Sequence, residues 1–279
     1  LKTLAKIWVY SNIHIAVIAF LLTLESNYIL GITRDFKSPL FVFFSTLLIY
    51  NLGYYRVILF KGEAQRDAAD WMKRHNSYWI FSILISLLAI IYILSAFLVP
   101  TQIAIGVLSL ISFLYILHDV NIGGISLSIR NIPLLKIFIV SGIWMLITIL
   151  PQLIEYDLFS LQSTWKTLMA ERFFFILPIT LIFDIRDIQS DPINLKTVPK
   201  LAGIPFTKGL AIFSLLIGYV FFYMLNFPIL IDGLMLVLYF AMVLMIVFSN
   251  EDRDELFYSG WFDVLMGVHA LIIICYYLV

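Results

Sequence analysis

Asp184, Asp187 and Asp191 stand three and four residues apart in the stretch DIRDIQSD. On a helix such spacings bring side chains to one face, so this run can present three carboxylates to a single point. Ionised carboxylates repel at short range, and a cation removes that cost. Magnesium suits the role, because it takes carboxylate oxygens and keeps positions open for phosphate oxygens. A solvated helix terminus is the plain alternative, since aspartates four apart are common in hydrophilic loops. The run sits at the end of a long apolar stretch, and that placement favours Asp184, Asp187 and Asp191 as metal ligands and catalytic groups at a membrane surface.

Cations surround the run in sequence. Arg186 and Arg130 read either as bidentate phosphate or lipid-headgroup contacts or as loop charges that set topology. Lys196 and Lys200 flank Thr197 and Pro199 in a loop expected to fold back over the carboxylates as a positive lid. Asn51, followed by Gly53, Tyr54, Tyr55 and Arg56, reads as a polar face of the second apolar segment or as a helix contact. His118 with Asp119 reads as a proton relay or a solvated terminus. Glu171 and Arg172 fall inside an apolar segment, where charges face a bundle interior or a cavity. Being adjacent, they diverge by about 100° on a helix and are not assumed to pair. His14, His75 and His269 show no zinc spacing, and the chain has no HExxH, cysteine pair, Walker loop or GxSxG.

The elements that position these residues are set by composition. The 279 residues are 62% hydrophobic and 13% charged, with a mean hydropathy of +1.00, which points to an integral membrane protein. Eighteen Lys and Arg balance eighteen Asp and Glu, so no global field attracts nucleic acid. The single cysteine, Cys275, cannot form an internal disulfide. Apolar runs at 7–30, 39–60, 77–98, 101–118, 133–153, 165–183, 208–226, 229–249 and 261–279 are each near the roughly 20 residues of a spanning helix. They predict an all-α polytopic membrane protein of about nine transmembrane helices. Residues 1–279 read as a single helical domain.

Proline at 98–101 and 226–228 predicts tight turns between helices. The loop 61–76 predicts a short interfacial helix, with Trp71 and Trp79 in an interface belt. Basic residues cluster on alternate connections, at Lys61, Arg66, Lys73 and Arg74, then Arg130, then Arg186, Lys196, Lys200 and Lys208, then Arg253. This bias predicts a cytoplasmic N-terminus and a C-terminus on the opposite side, with Arg34 and Lys37 as exceptions. A prokaryotic inner membrane is the expected location.

The stretch DIRDIQSDPINLKTVPKLAG, residues 184–203, is similar to the second aspartate-rich motif of the UbiA superfamily of intramembrane prenyltransferases. The shared features are Asp184, the Asp187 and Asp191 spacing, Thr197, Pro199 and Gly203. The layout of helices and polar connections resembles that family along nearly the whole chain. The resemblance implies a bundle around a central lateral-opening cavity. It also implies an isoprenyl diphosphate held through Mg2+ and a prenyl group passed to a lipophilic, often aromatic, acceptor. Carried onto this chain, Asp184, Asp187 and Asp191 hold the metal, while Asn51, Arg56, Arg130, Arg186, Lys196 and Lys200 serve the diphosphate. The family's first motif falls on NLGYYRVILFKGE. Asn51 remains, but Tyr55 and Leu59 stand at the aspartate positions, and Glu63, Asp67 and Asp70 substitute only if the loop bends back.

Three functional readings follow. The first is a prenyltransferase with a divergent first metal site. The second is a non-catalytic relative that binds a lipid or polyprenyl phosphate. The third is a small-molecule transporter, suggested by Glu171 and Arg172 and opposed by the lack of an evident inverted repeat.

Overall fold

A computed structural model describes the backbone of residues 2–59, 67–116, 120–122, 125–127, 134–160, 162–189, 195–254 and 256–279, and side chains over 6–53, 70–115, 134–160, 163–189, 195–254 and 256–279. Arg56, Tyr55, Leu59, Glu63, Asp67, His118, Asp119, Arg130 and Asp191 have side chains outside that set.

Helices dominate, because only a helix satisfies its own backbone polar groups within a bilayer. The first apolar run is two helices and not one: α1 (Lys2–Tyr10) and α2 (Ile13–Ile29) are separated at Asn12, whose φ of 61° interrupts the right-handed path. There follow α3 (Lys37–Leu59), the expected short helix α4 (Asp67–Arg74), α5 (Asn76–Leu94) and α6 (Val99–Ile116). Next is a two-stranded antiparallel hairpin, β1 (Val120–Ile122) and β2 (Ile125–Leu127), with Asn121 opposite Ser126. It is a small departure from an all-helical chain. The remainder is α7 (Leu135–Glu155), α8 (Gln162–Arg186), α9 (Val198–Ala202), α10 (Ile204–Tyr223), α11 (Ile229–Phe248) and α12 (Asp263–Leu278), the last preceded by a π-helical stretch over Leu256–Phe262.

Among the described residues, five helices are long and apolar enough to cross a membrane: α5, α7, α10, α11 and the continuous run Leu256–Leu278. Two shorter apolar helices cover Ile13–Ile29 and Val99–Tyr115. Helices α3 and α8 run 23 and 25 residues and carry more polar side chains. The outward faces carry large apolar groups such as Leu88, Tyr92, Leu230 and Val237, while Thr148, Glu171, Arg172 and His269 are buried. An apolar exterior with the charged groups turned inward suits hydrocarbon as the solvent.

Helix α8 is the centre of the largest core cluster. Its Phe175, Leu181, Ile182 and Ile185 pack with Ala211 and Leu215 of α10, Met242 of α11 and Met266 and Ala270 of α12. Close approach of α8 and α10 depends on small residues. Ser214 Oγ donates to the Phe174 carbonyl at 3.3 Å. One turn on, a Cβ added at Gly218 would stand 3.2 Å from the Phe174 carbonyl carbon. Gly203 joins α9 to α10 with φ 84°, a conformation open to glycine.

Cross-helix contacts define two ends of the bundle. One end holds the starts of α2, α7 and α12 and the last turn of α8, linked by His14 to Asp263 and by Lys136 to Asp184. At the other end, Lys37 Nζ lies 2.5 Å from Glu155 Oε1, and Glu155 Oε2 accepts the Leu98 N–H at 3.0 Å. Lys37, an exception in the charge pattern, is thus occupied by a carboxylate.

Candidate functional site

Helix α8 delivers the aspartates. It ends at Arg186, and residues 187–189 form a turn, so Asp184 lies in the last helical turn and Asp187 just beyond it. The Asp187 N–H still donates to the Phe183 carbonyl at 3.0 Å, which holds Asp187 against the last helical turn. Asp184 and Asp187 are both buried.

Each described carboxylate faces its own cation. Lys136 Nζ lies 2.5 Å from Asp184 Oδ1. Arg186 embraces Asp187, with Nε donating to Oδ1 at 2.7 Å and Nη2 to Oδ2 at 3.2 Å. The same guanidinium donates from Nη1 to Ser259 Oγ at 3.2 Å and covers the Phe183 ring at 4.6 Å. Arg186 therefore bridges the end of α8 to the π-helical stretch that leads into α12. One turn beyond Ser259, Asp263 Oδ2 meets His14 Nε2 at 3.1 Å.

The loop after the carboxylates returns to the bundle. Leu195, Thr197, Val198 and Pro199 are buried, and Val198 joins the α8 core cluster. Lys196 is exposed, and Lys200 is half-buried on α9.

Asn51 is fully buried with its amide committed. It accepts from Asn12 Nδ2 and donates to Ser82 Oγ, each at 2.9 Å, and its carbonyl accepts from Trp79 Nε1 at 2.9 Å. These bonds tie α3 to the α1–α2 junction and to α5, which is the helix-contact reading of that residue. Trp79 thereby holds α5 to α3, and Trp71 stacks on His75 at 4.2 Å.

Glu171 and Arg172 are completely buried. They do approach each other, Arg172 Nε standing 3.6 Å from Glu171 Oε2, and Arg172 Nη2 makes a closer pair with Glu25 Oε2 at 3.0 Å. Each has several partners within the core, so the feature that suggested transport is accounted for by packing of charges inside the bundle.

Sequence reasoning missed Lys136 and Glu25. Each was visible as a lone charge inside an apolar run, at 133–153 and 7–30 respectively, and such charges mark polar contacts by default.

The fit of a magnesium ion can be judged from the donors. Carboxylate oxygens are the right kind of ligand. Among the described residues, however, no group of three or more His, Cys, Asp or Glu is placed to hold a metal. The two described carboxylates are each engaged by a cation, so this set does not complete a magnesium site.

No protein-family model matches the chain, and no curated protein matches its sequence. Solved structures do match its fold. A UbiA homolog from Archaeoglobus fulgidus bound to GPP and Mg2+ superimposes with a TM-score of 0.62 at 11% identity, covering 97% of this chain and 100% of that one. The apo UbiA homolog from Aeropyrum pernix K1 gives 0.61 at 11% identity over 94% and 96%. A structure of digeranylgeranylglyceryl phosphate synthase gives 0.56 at 12% identity over 98% of both chains. The chain has the UbiA fold along nearly its whole length.

Proposed function

We propose that this protein is an intramembrane prenyltransferase of the UbiA type, taking an isoprenyl diphosphate with its head group at the Asp184 and Asp187 end of the bundle. The observation that carries the reading is the convergence of Lys136, Asp184, Arg186 and Asp187 at the ends of α7 and α8 in a chain with the UbiA fold. Those cations can transfer from carboxylate to phosphate as the ligand arrives. Arg186 suits bidentate phosphate contact, and Lys136 supplies a compact charge.

In this reading the allylic carbon–oxygen bond breaks and the diphosphate leaves with the electron pair. Arg186 and Lys136, with Lys196 and Lys200 from the returning loop, offset its growing charge. The apolar bundle shields the allylic cation from water until a lipophilic acceptor forms the new bond and releases a proton. The distribution of basic residues favours a site that faces the cytoplasm. Asp191, outside the described residues, would join Asp184 and Asp187 around a magnesium ion that offsets the diphosphate charge.

A second reading, binding of an isoprenyl or polyprenyl phosphate without turnover, is favoured by Tyr55 and Leu59 at the first-motif positions. Incubation of purified protein with radiolabelled isoprenyl diphosphates of several chain lengths, lipid-extract acceptors and magnesium separates the two. Prenylated product with released diphosphate supports transfer. Saturable binding with neither product supports the second reading.

A further inference from the structure

A second charge cluster lies inside the bundle, on residues that the proposed chemistry does not use. Glu25 comes from α2, Glu171 and Arg172 from α8, Tyr239 from α11 and His269 from α12, and all five are buried. His269 Nδ1 stands 3.3 Å from Glu25 Oε1, and its Nε2 stands 3.2 Å from Glu171 Oε1. Tyr239 donates its hydroxyl proton to Glu171 Oε1 at 3.0 Å. Arg172 completes the ring through Glu25, Glu171 and a hydrogen bond to the Leu22 carbonyl at 3.1 Å. The rings of Phe175 and Phe222, at 4.3 and 5.9 Å, close over His269, and Tyr219 of α10 packs on Tyr239.

A neutral imidazole has one N–H and one lone pair, so one of the two glutamates would face a lone pair. With both nitrogens protonated, each carboxylate stands within ion-pair distance of a protonated ring nitrogen. Charge balance gives the same answer. Two carboxylates against one guanidinium leave an unbalanced anion in the hydrocarbon, whereas an imidazolium brings the cluster to neutrality, and unbalanced charge there is costly. We infer that this cluster is a proton-binding site: one proton is held on His269 between Glu25 and Glu171, and it locks α2, α8, α11 and α12 together. The site fixes the rotation and depth of α8, the helix whose last turn carries Asp184 and is followed by Asp187. The inference stands whether or not the protein transfers prenyl groups.

A charge-balance cycle tests it. Glu25→Gln leaves one carboxylate against Arg172, so His269 gives up its proton to solvent, while His269→Gln leaves an excess anion that the double variant removes. His269→Gln is expected to lower the thermal midpoint in detergent by more than about 5 °C, and the double variant is expected to recover most of that loss. If Glu25→Gln exceeds the wild type, the wild-type cluster holds an excess anion and no bound proton, and the inference is wrong. Should a single variant fail to accumulate, nitrogen NMR of histidine-labelled wild type decides: two protonated ring nitrogens on His269 at neutral pH support the inference, and one bare nitrogen overturns it.

Discussion

Lys136 Nζ meets Asp184 Oδ1 at 2.5 Å and ties the first turn of α7 to the last turn of α8. The carboxylate is buried and the ammonium nearly so, which makes the pair a helix clasp as well as a candidate ligand contact. Its two roles separate by mutation.

Lys136→Met keeps the apolar stem but takes the ammonium away from the buried Asp184 carboxylate. The expected cost is about 3 kcal/mol, read as a lowered thermal midpoint. Combining it with Asp184→Asn is expected to restore most of the stability while leaving isoprenyl diphosphate binding impaired.

Arg186→Lys tests geometry at constant charge. Lysine cannot span both Asp187 oxygens, Ser259 Oγ and the Phe183 ring as the guanidinium does. Geranylgeranyl diphosphate affinity is expected to fall by roughly tenfold, about 1.4 kcal/mol, measured by calorimetry on protein of unchanged helicity.

Much of this arrangement was legible in the sequence. Apolar runs near the spanning length located the long helices, because bilayer thickness fixes helix length. Proline marked the turns that the structure places at 95–98 and 224–228. The aspartate run was visible through spacing and context. The break at Asn12 was not, since asparagine inside an apolar run signals no left-handed φ on its own. Partner choice was equally hidden: nothing local tells Lys136 to meet Asp184, 48 residues later by the numbering, or His269 to meet Glu25. Those contacts follow from how helices rotate against one another, which is settled by packing such as the Ser214 and Gly218 seam.

Gly218→Ala tests that seam. The added methyl would press on the Phe174 carbonyl carbon and Phe175 nitrogen at 3.2 and 3.3 Å, which are backbone atoms with little freedom to yield. A loss of about 1–3 kcal/mol is expected. Ser214→Ala, which removes one hydrogen bond and no space, is expected to cost about 1 kcal/mol.

Glu155→Gln probes the far end of the bundle. It removes the charge that holds Lys37 and weakens the acceptor for the Leu98 N–H. The thermal midpoint is expected to fall by an amount equivalent to about 1–3 kcal/mol, with isoprenyl diphosphate affinity unchanged. Equal loss of affinity would tie this end to ligand binding and contradict the assignment of the site.

On the proposed function, an isoprenyl diphosphate docks at the Asp184 and Asp187 end of the bundle. Binding of geranylgeranyl diphosphate to purified wild type and Asp187→Asn, with and without magnesium, tests it most directly. Saturable binding by the wild type, weakened at least about tenfold in the variant at a similar thermal midpoint, is the predicted result. Equal affinity in both proteins, or no binding by the wild type at any chain length, would contradict it.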